Sequence, residues 1–133
     1  MIIKAGLLLF RDGQDAKELM FVRAHNKPFY VFPGGKQEEG ETIEEALVRE
    51  IQEELSATIS DVEKLGKVTG QTPDGRDLEM HLFTANLLNE PKASSEIDEI
   101  HWLDRKSALA NKSIMTPMTL NHVMPFLDKN GIW

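Results

Sequence analysis

The sequence predicts a single compact α/β (α+β) domain in which a mixed β-sheet is flanked by helices. Short apolar, β-prone runs bounded by turn residues alternate with one long amphipathic helix and a later helical segment. A chain of 133 residues without repeats or low-complexity linkers is enough for one domain with its own hydrophobic core. We therefore expect residues 1–133 to form one folding unit.

Two apolar runs open the chain, at residues 2–10 and 18–24, and Asp12-Gly13 between them is a strong turn signal. Together they predict a β-hairpin. Residues 29–32, Phe-Tyr-Val-Phe, form another β-prone run. Pro33-Gly34-Gly35 follows and is expected to end that strand in a turn.

The long helix is predicted to begin after Thr42, the expected N-cap, and Glu45 three residues later completes a capping box. It continues to Leu55 or Ser56 without an internal glycine or proline. At about 100° per residue, its apolar side chains share one arc. These residues are Ile43, Ala46, Leu47, Ile51 and Leu55. The arc is expected to pack against the sheet.

Three further β-prone runs follow the helix, at residues 63–71, 78–88 and 100–103. The first two are joined by Thr72-Pro73-Asp74-Gly75, a strong turn. Residues 117–128 predict a second helix with Pro117 in its first turn. Pro125 lies near the end of this helix, where it removes a backbone donor.

Composition limits the classes of function. The net charge of −7 argues against duplex nucleic acid as the main partner, because phosphate binding needs a basic surface. The absence of cysteine excludes disulfides and thiolate zinc sites and fits a cytoplasmic location. The first apolar run stops at Arg11, too early for a secretory signal or a membrane span, so we expect neither.

Three carboxylates cluster on the long helix. Glu50, Glu53 and Glu54 are spaced i, i+3 and i+4, so they project from one side, where like charges repel unless a cation is present. Glu50 and Glu54 lie at the margin of the apolar arc, where unpaired charge is costly. Oxygen ligands beside a Gly-rich loop predict a hard divalent cation. Arg49 offers the alternative, a purely structural ion network.

The complete spacing is Gly35, five residues, Glu41, seven residues, and then Arg49-Glu50-Ile51-x-Glu53-Glu54. It resembles the signature of the Nudix hydrolase family (the MutT-like fold), G-x5-E-x7-R-E-U-x-E-E-x-G-U, where U is a bulky apolar residue. Residues 35–57, the Nudix box, match eight of the nine specified positions if Ala57 is accepted as the last apolar one. Ser56 stands where the family has glycine, which concerns the C-cap of the helix and no ligand.

The resemblance implies hydrolysis of a nucleoside diphosphate linked to another group, X. It implies Mg2+, with Mn2+ as a substitute, bound by Glu50, Glu53 and Glu54. The backbone carbonyl of Gly34 is implied as a further ligand. Such an ion binds proteins through few carboxylates and completes its shell with water and substrate phosphates. In the family, the arginine at position 49 orients the catalytic glutamate through charge-assisted hydrogen bonds.

Among the acids, Glu53 is our first choice for general base or central metal ligand. Glu41 is expected to brace the turn between loop and helix. Outside the box, Glu96 occupies a place where many family members carry an additional acid before a Trp-bearing strand. It is the alternative base or an additional metal ligand, and Asp98 and Glu99 compete with it for that role.

Arg23, Gly35 and Phe29 are the candidates for substrate contacts. Arg23 ends the second apolar run and matches a common phosphate-contacting position in the family; the alternative is an ordinary surface charge. Phe29 could stack on a base, but aromatic residues in β-prone runs usually pack in the core. Pro73 lies roughly where ADP-ribose-cleaving relatives have a marker proline, although the turn also explains it.

The sequence thus predicts a cytoplasmic, Mg2+-dependent pyrophosphohydrolase. The favoured substrate is a nucleoside triphosphate, including oxidised or noncanonical ones, because the chain is short and has no room for an added specificity domain. The alternatives are hydrolysis of ADP-ribose or a nucleoside diphosphate sugar, and a non-catalytic module that binds nucleotides or a protein. The expected partner is a small nucleotide, with no duplex nucleic acid and no membrane. A homodimer is an option because dimers are common among relatives.

Overall fold

Seven strands form two sheets in the computed structural model, which describes residues 1–133. The strands are β1 (Ile2–Leu7), β2 (Phe10–Asp12), β3 (Lys17–Ala24), β4 (Gly34–Lys36), β5 (Ile59–Gln71), β6 (Asp77–Leu87) and β7 (Ile97–Asp104). The helices are α1 (Ile43–Leu55), α2 (Arg105–Ala110) and α3 (Met124–Lys129), with a 3-10 turn at Lys112–Ile114 and a π-helical turn at Thr119–Val123.

The larger sheet has the strand order β4-β1-β6-β5, and the smaller one has the order β2-β3-β7. β1 and β6 run parallel, whereas the other neighbours are antiparallel, so the larger sheet is mixed, as predicted. The strands predicted at residues 63–71, 78–88 and 100–103 are confirmed as β5, β6 and β7 with different bounds. Together with the helices, the two sheets confirm the predicted α+β class.

Helices lie against both faces of the larger sheet. On one face, α1 contacts β1 and β4. On the other face, residues 117–129, here called the C-terminal helical segment, lie so close to β5 that two of its positions require glycine. A Cβ atom on Gly66 would lie 2.6 Å from the ring of Phe126, and one on Gly70 would lie 2.8 Å from Sδ of Met118. None of the helices has the length and apolarity needed to cross a membrane.

The prediction that residues 2–10 and 18–24 form a β-hairpin is wrong for residues 2–7. Residues 2–7 pair with β4 and β6 in the larger sheet, and only β2 pairs with β3. The chain changes sheets between two buried leucines. Leu8 donates its amide to the carbonyl of Phe83 in the larger sheet, whereas the carbonyl of Leu9 accepts from Met20 in the smaller one.

The turn predicted at Pro33-Gly34-Gly35 is also wrong, because Gly34–Lys36 form β4. Conversely, Tyr30 and Val31 make only isolated bridges instead of a strand. Glycine explains the difference. Gly34 has a φ of 140°, which side-chain-bearing residues rarely adopt, and a Cβ atom there would lie 2.0 Å from the carbonyl oxygen of Ala5 in β1.

The prediction for α1 is confirmed in detail. Oγ1 of Thr42 accepts from the amide of Glu45, and the Glu45 carboxylate accepts from the amide of Thr42, so both halves of the capping box are present. The helix ends at Ser56, which adopts a left-handed conformation with a φ of 48°. Of the predicted apolar arc, Ala46, Leu47, Ile51 and Leu55 are buried and Ile43 is partly buried.

The helix predicted over residues 117–128 is present, but a π-helical turn interrupts it. The amide of Met124 donates to the carbonyl of Thr119, five residues back instead of four. Pro125 follows directly, and in a regular α-helix its ring would clash with the carbonyl of Asn121. The wider turn relieves that clash.

Candidate active site

The Gly34-Gly35 segment of β4 lies against the carboxylate-bearing side of α1. The amide of Gly34 donates a 2.8 Å hydrogen bond to Oε1 of Glu54. A Cβ atom on Gly35 would lie 2.4 Å from Cδ of Glu50. Only glycine therefore lets this backbone approach both carboxylates of the helix.

Glu54 is largely desolvated at this contact. Burial is the main cause that raises its pKa to about 8, and the negative charges of Glu50, Glu53 and Glu96 contribute in the same direction. The hydrogen bond from Gly34 opposes them. Without a cation, Glu54 is therefore mostly protonated at neutral pH, and a bound cation would favour its charged form.

Arg49 connects the loop before α1 with the carboxylates of the helix. Its Nη2 and Nε donate to the two carboxylate oxygens of Glu41 at 2.7 and 3.1 Å, and its Nη1 donates to Glu50 at 2.9 Å. Nη2 also donates to the carbonyl of Lys36 at 3.2 Å. These bonds raise the pKa of Arg49 and hold the pKa of Glu41 below its usual value. The arrangement fits both a structural ion network and a brace for a metal-binding glutamate.

Glu53 and Glu96, the two candidates for the general base, are both exposed. The Glu53 side chain is 54% exposed, and its Oε2 lies 3.6 Å from Nη1 of Arg49. Glu96 lies in a loop that is fixed to the helix, because the amide of Ser94 donates to the carbonyl of Glu54. The charge of Glu96 contributes to the raised pKa of Glu54, which brings it within electrostatic reach of the box.

Carboxylates of this kind fit a hard divalent cation, although no three acidic or histidine side chains converge in an arrangement that could hold a metal. Glu50 is turned to Arg49, and Glu54 is turned to the Gly34 amide. The donor set consists of oxygen atoms alone, and the pKa of Glu54 is raised mainly by burial, a cost that a bound cation would offset. Glu50, Glu53 and Glu54 are the carboxylates available for such an ion, and their side chains would have to reorient from the conformations described here to bind it together.

A cleft of about 540 Å³ opens beside Gly34, Gly35 and Glu54. Its remaining walls come from β1, from the loop after β3, from the β5–β6 turn and from the start of the C-terminal helical segment. Both apolar and polar side chains line it, among them Phe29, Leu78, Met80, Met118, Thr72, Thr116 and Thr119. A cavity of this size and mixed lining fits a small organic ligand.

The structure places two of the predicted substrate contacts, Phe29 and Gly35, in the wall of this cleft. Arg23 is held elsewhere. Its Nε donates to Glu99, and its Nη1 donates to the carbonyl of Lys27 at 3.3 Å. A phosphate contact from Arg23 remains a prediction.

Lys4, Thr116 and Thr119 line the cleft but were not singled out from the sequence. Lys4 carried the only available signal, a charged residue within an apolar strand. The two threonines carry no such signal, because their position depends on how the C-terminal segment packs on the sheet. Pro73, which the sequence places in a turn, also lies in the wall of the cleft.

The family model described as NUDIX domain matches residues 2–120. This chain belongs to the NUDIX domain family. The resemblance to MutT-like Nudix proteins and the prediction that the chain is a Nudix hydrolase are thereby confirmed. Members of the family generally use divalent metal ions and act on small nucleotide substrates.

Two curated relatives of this Nudix chain are similar in sequence. The 8-oxo-dGTP diphosphatase of Proteus vulgaris is 35% identical over 83 residues, which cover 59% of this chain and 73% of the relative. The oxidized purine nucleoside triphosphate hydrolase of Danio rerio is 37% identical over 73 residues, covering 53% of this chain and 46% of the relative. The match therefore spans less than half of the second protein.

Two solved structures share the fold. A NUDIX hydrolase from Nitrosomonas europaea superposes with a TM-score of 0.77 at 17% identity, covering 98% of this chain and 88% of the other. The NUDIX domain of Shewanella oneidensis NrtR, complexed with ADP ribose, has a TM-score of 0.66 at 18% identity. The match covers 83% of this chain and 77% of the NrtR domain in that structure. At these identities the likeness concerns the fold alone.

Proposed function

We propose that this Nudix protein is a Mg2+-dependent pyrophosphohydrolase that acts on a nucleoside triphosphate, in particular an oxidised or otherwise noncanonical one. The observation that carries the proposal is the Gly34–Glu54 contact, because Gly34, Gly35 and Glu54 line a cleft of about 540 Å³ and Glu54 belongs to the carboxylate cluster of α1. If the phosphate chain of a nucleotide binds at these carboxylates, its nucleoside would lie inside the cleft. The absence of cysteine is consistent with a cytoplasmic enzyme.

In this proposal, Glu50, Glu53 and Glu54 hold Mg2+, or Mn2+ in its place, together with the carbonyl of Gly34. When bound, such an ion neutralises the diphosphate and lowers the pKa of an attacking water. Arg49 keeps Glu50 in position through the bond at 2.9 Å.

Glu53 is our candidate for the general base. It is exposed, so it can reach a water molecule, and its only close partner is Arg49. Glu96 is the second candidate, because the loop that carries it is anchored to the carbonyl of Glu54 through Ser94. Either carboxylate would take the proton of the attacking water.

The names of the relatives support an oxidised purine nucleotide as substrate. The Proteus vulgaris and Danio rerio proteins are named for 8-oxo-dGTP and for oxidized purine nucleoside triphosphates. The cleft offers Phe29 and Met118 as apolar surfaces and Thr116 and Thr119 as hydrogen-bonding groups for a purine.

Hydrolysis of ADP-ribose or a nucleoside diphosphate sugar is the second candidate. It is supported by the ADP ribose bound to the NrtR domain and by the position of Pro73 in the wall of the cleft. A non-catalytic binding module is the third candidate. The presence of Arg49 and of all four glutamates that the family signature specifies counts against it.

A panel of nucleotides, scored for released phosphate and pyrophosphate in Mg2+, tests the proposal. It should include 8-oxo-dGTP, dGTP and ADP-ribose, each with the wild type and with Glu53→Gln. We expect the fastest turnover with 8-oxo-dGTP and a loss of several orders of magnitude in the variant without a change in melting temperature. Turnover of ADP-ribose alone would favour the second candidate. No turnover combined with nucleotide-dependent stabilisation would favour a binding module.

A further inference from the structure

Lys4 and Lys36 form a like-charged pair at the cleft. They are directly opposite each other in the antiparallel pair of β1 and β4, so their side chains leave the same face of the larger sheet. Like charges at such positions destabilise a sheet. Neither ammonium group donates a hydrogen bond or forms a salt bridge within the protein. No carboxylate of the protein is therefore paired directly with either lysine.

Lys4 is the member of the pair that lines the cleft. It is partly buried, and burial is the main cause that lowers its pKa. The positive charges of Lys36 and Arg76 lower the pKa further, against the weaker opposing effect of Glu54 and Glu50. A desolvated cation among other cations gains most from an anionic ligand.

The net charge of the side chains that line the cleft is positive, whereas that of the whole chain is negative. Three cationic side chains, Lys4, Lys27 and Arg76, line it with only two acidic ones, Glu54 and Asp74. The chain as a whole has a net charge of −7. Arg76 is paired with Asp74 at 3.0 Å. The charges of the two lysines therefore remain for a ligand.

We propose that Lys4 binds the phosphate chain of the substrate from the side opposite the box carboxylates. The proposal rests on the proposed function, since it assumes a nucleotide in this cleft. An ammonium group is a compact donor that suits a phosphate oxygen without imposing one orientation. Lys4 then makes the enzyme favour nucleotides that carry several phosphates, whereas the apolar wall contacts the base.

Isothermal titration of inorganic triphosphate and of dGTP into wild type and Lys4→Met tests this role, in chelator and again in Mg2+. We expect the variant to bind both ligands about 10- to 100-fold more weakly, as for the loss of one charge-assisted contact. In an active enzyme the same loss should raise KM for the triphosphate with little effect on kcat. The matched control is Lys67→Met, because Lys67 lies in the same sheet on the opposite face and is paired with Glu79. It should bind like the wild type.

Equal affinity for inorganic triphosphate in wild type and Lys4→Met would overturn the proposal. So would a variant that loses affinity for dGTP alone, because Lys4 would then contact the base. The melting temperature of Lys4→Met should stay the same or rise, since the repulsion from Lys36 is removed, and a marked fall would assign Lys4 a structural role instead. A wild type that hydrolyses no nucleotide would end the proposed function, whereas the titration with inorganic triphosphate would still decide the role of Lys4.

Discussion

The amide of Gly34 donates a hydrogen bond to the side chain of Glu54, twenty positions further along the chain. This bond joins the short strand β4 to the last turn of α1. Without this bond the partly buried amide of Gly34 would have no acceptor. The bond also fixes the position of the Glu54 carboxylate, whose neutral form is favoured by burial. The contact sets the geometry of the box before any ligand binds.

Replacing Glu54 with Gln should stabilise the metal-free protein at high pH. The pKa of Glu54 is raised from an ordinary value of 4.5 to about 8, so the folded state binds this proton more tightly than the unfolded state. Stability is therefore lost as the pH rises through the window from 4.5 to 8, and glutamine removes that loss while still accepting from Gly34. A pKa that rises from 4.5 to about 8 costs about 1.4 kcal/mol for each pH unit of that window, so we expect the variant to gain up to about 5 kcal/mol above pH 8 and nothing below pH 4.5.

Thermal melts in chelator across this window provide the measurement. In Mg2+ with nucleotide the order should reverse, because the wild type gains from metal binding and the variant has lost a ligand. A difference in melting temperature between the two proteins that does not change with pH would contradict the assignment.

Gly35→Ala should lose activity, whereas Gly34→Ala should lose stability. A Cβ atom on Gly35 meets the flexible Glu50 side chain, so we expect a nearly intact fold and a loss of about 100-fold in kcat/KM from the displaced carboxylate. A Cβ atom on Gly34 meets the backbone of Ala5, so we expect a loss of about 3 kcal/mol in the free energy of unfolding. Gly40→Ala is the control, because Gly40 has a positive φ with no neighbour within 4 Å. Urea unfolding and steady-state kinetics separate the two effects.

Arg49→Lys should impair catalysis although the charge is kept. Lysine cannot reproduce the bidentate contact with Glu41 while also holding Glu50 and the carbonyl of Lys36. We expect kcat to fall by about 10- to 100-fold, with weaker activation by Mg2+ in a metal titration. Arg11→Lys, which alters a surface ion pair with Glu18, is the control and should keep the kcat and the Mg2+ activation of the wild type. Normal Mg2+ activation in Arg49→Lys would show that Arg49 is only a structural residue.

Ser56→Gly should stabilise the protein. Ser56 ends α1 with a φ of 48°, a conformation that glycine adopts at lower cost, and this is the one box position that departs from the family signature. Its hydroxyl lies 2.7 Å from that of Ser94, an exposed hydrogen bond that the variant loses. We expect a net gain of about 0.5 kcal/mol in the free energy of unfolding. Ser56→Ala, which keeps the strained conformation and loses the hydroxyl, should be less stable than the wild type.

Local features of the chain were predictable. The capping box at Thr42, the apolar arc and the end of α1 follow from helical periodicity and from contacts over three or four residues. The fixed spacing of the box then indicates a family and a chemistry. The turn at residues 72–75 is likewise local, because the Thr72 hydroxyl donates to the carboxylate of Asp74 and accepts from the amide of Arg76.

Features that depend on distant partners were not predictable. The strand formed by Gly34–Lys36 exists only because β1 lies beside it, and no β-propensity marks the segment. The contact of Arg23 with Glu99, a residue 76 positions away, was likewise not predicted, whereas its contact with a phosphate remains a prediction. Residues 2–7 were expected to pair with their sequence neighbour and pair instead with β4 and β6.

The sequence by itself determined the helix, its caps, the order of the acids and the family, because these depend on short-range geometry along one chain segment. The tertiary structure decided which acids are buried, how Glu54 meets Gly34 and where Lys4 faces the cleft. Burial and long-range strand pairing control those properties, because desolvation shifts a pKa and a register fixes which side chains share a face. The chemistry of the site thus follows from the box, and its electrostatics follow from the packing around it.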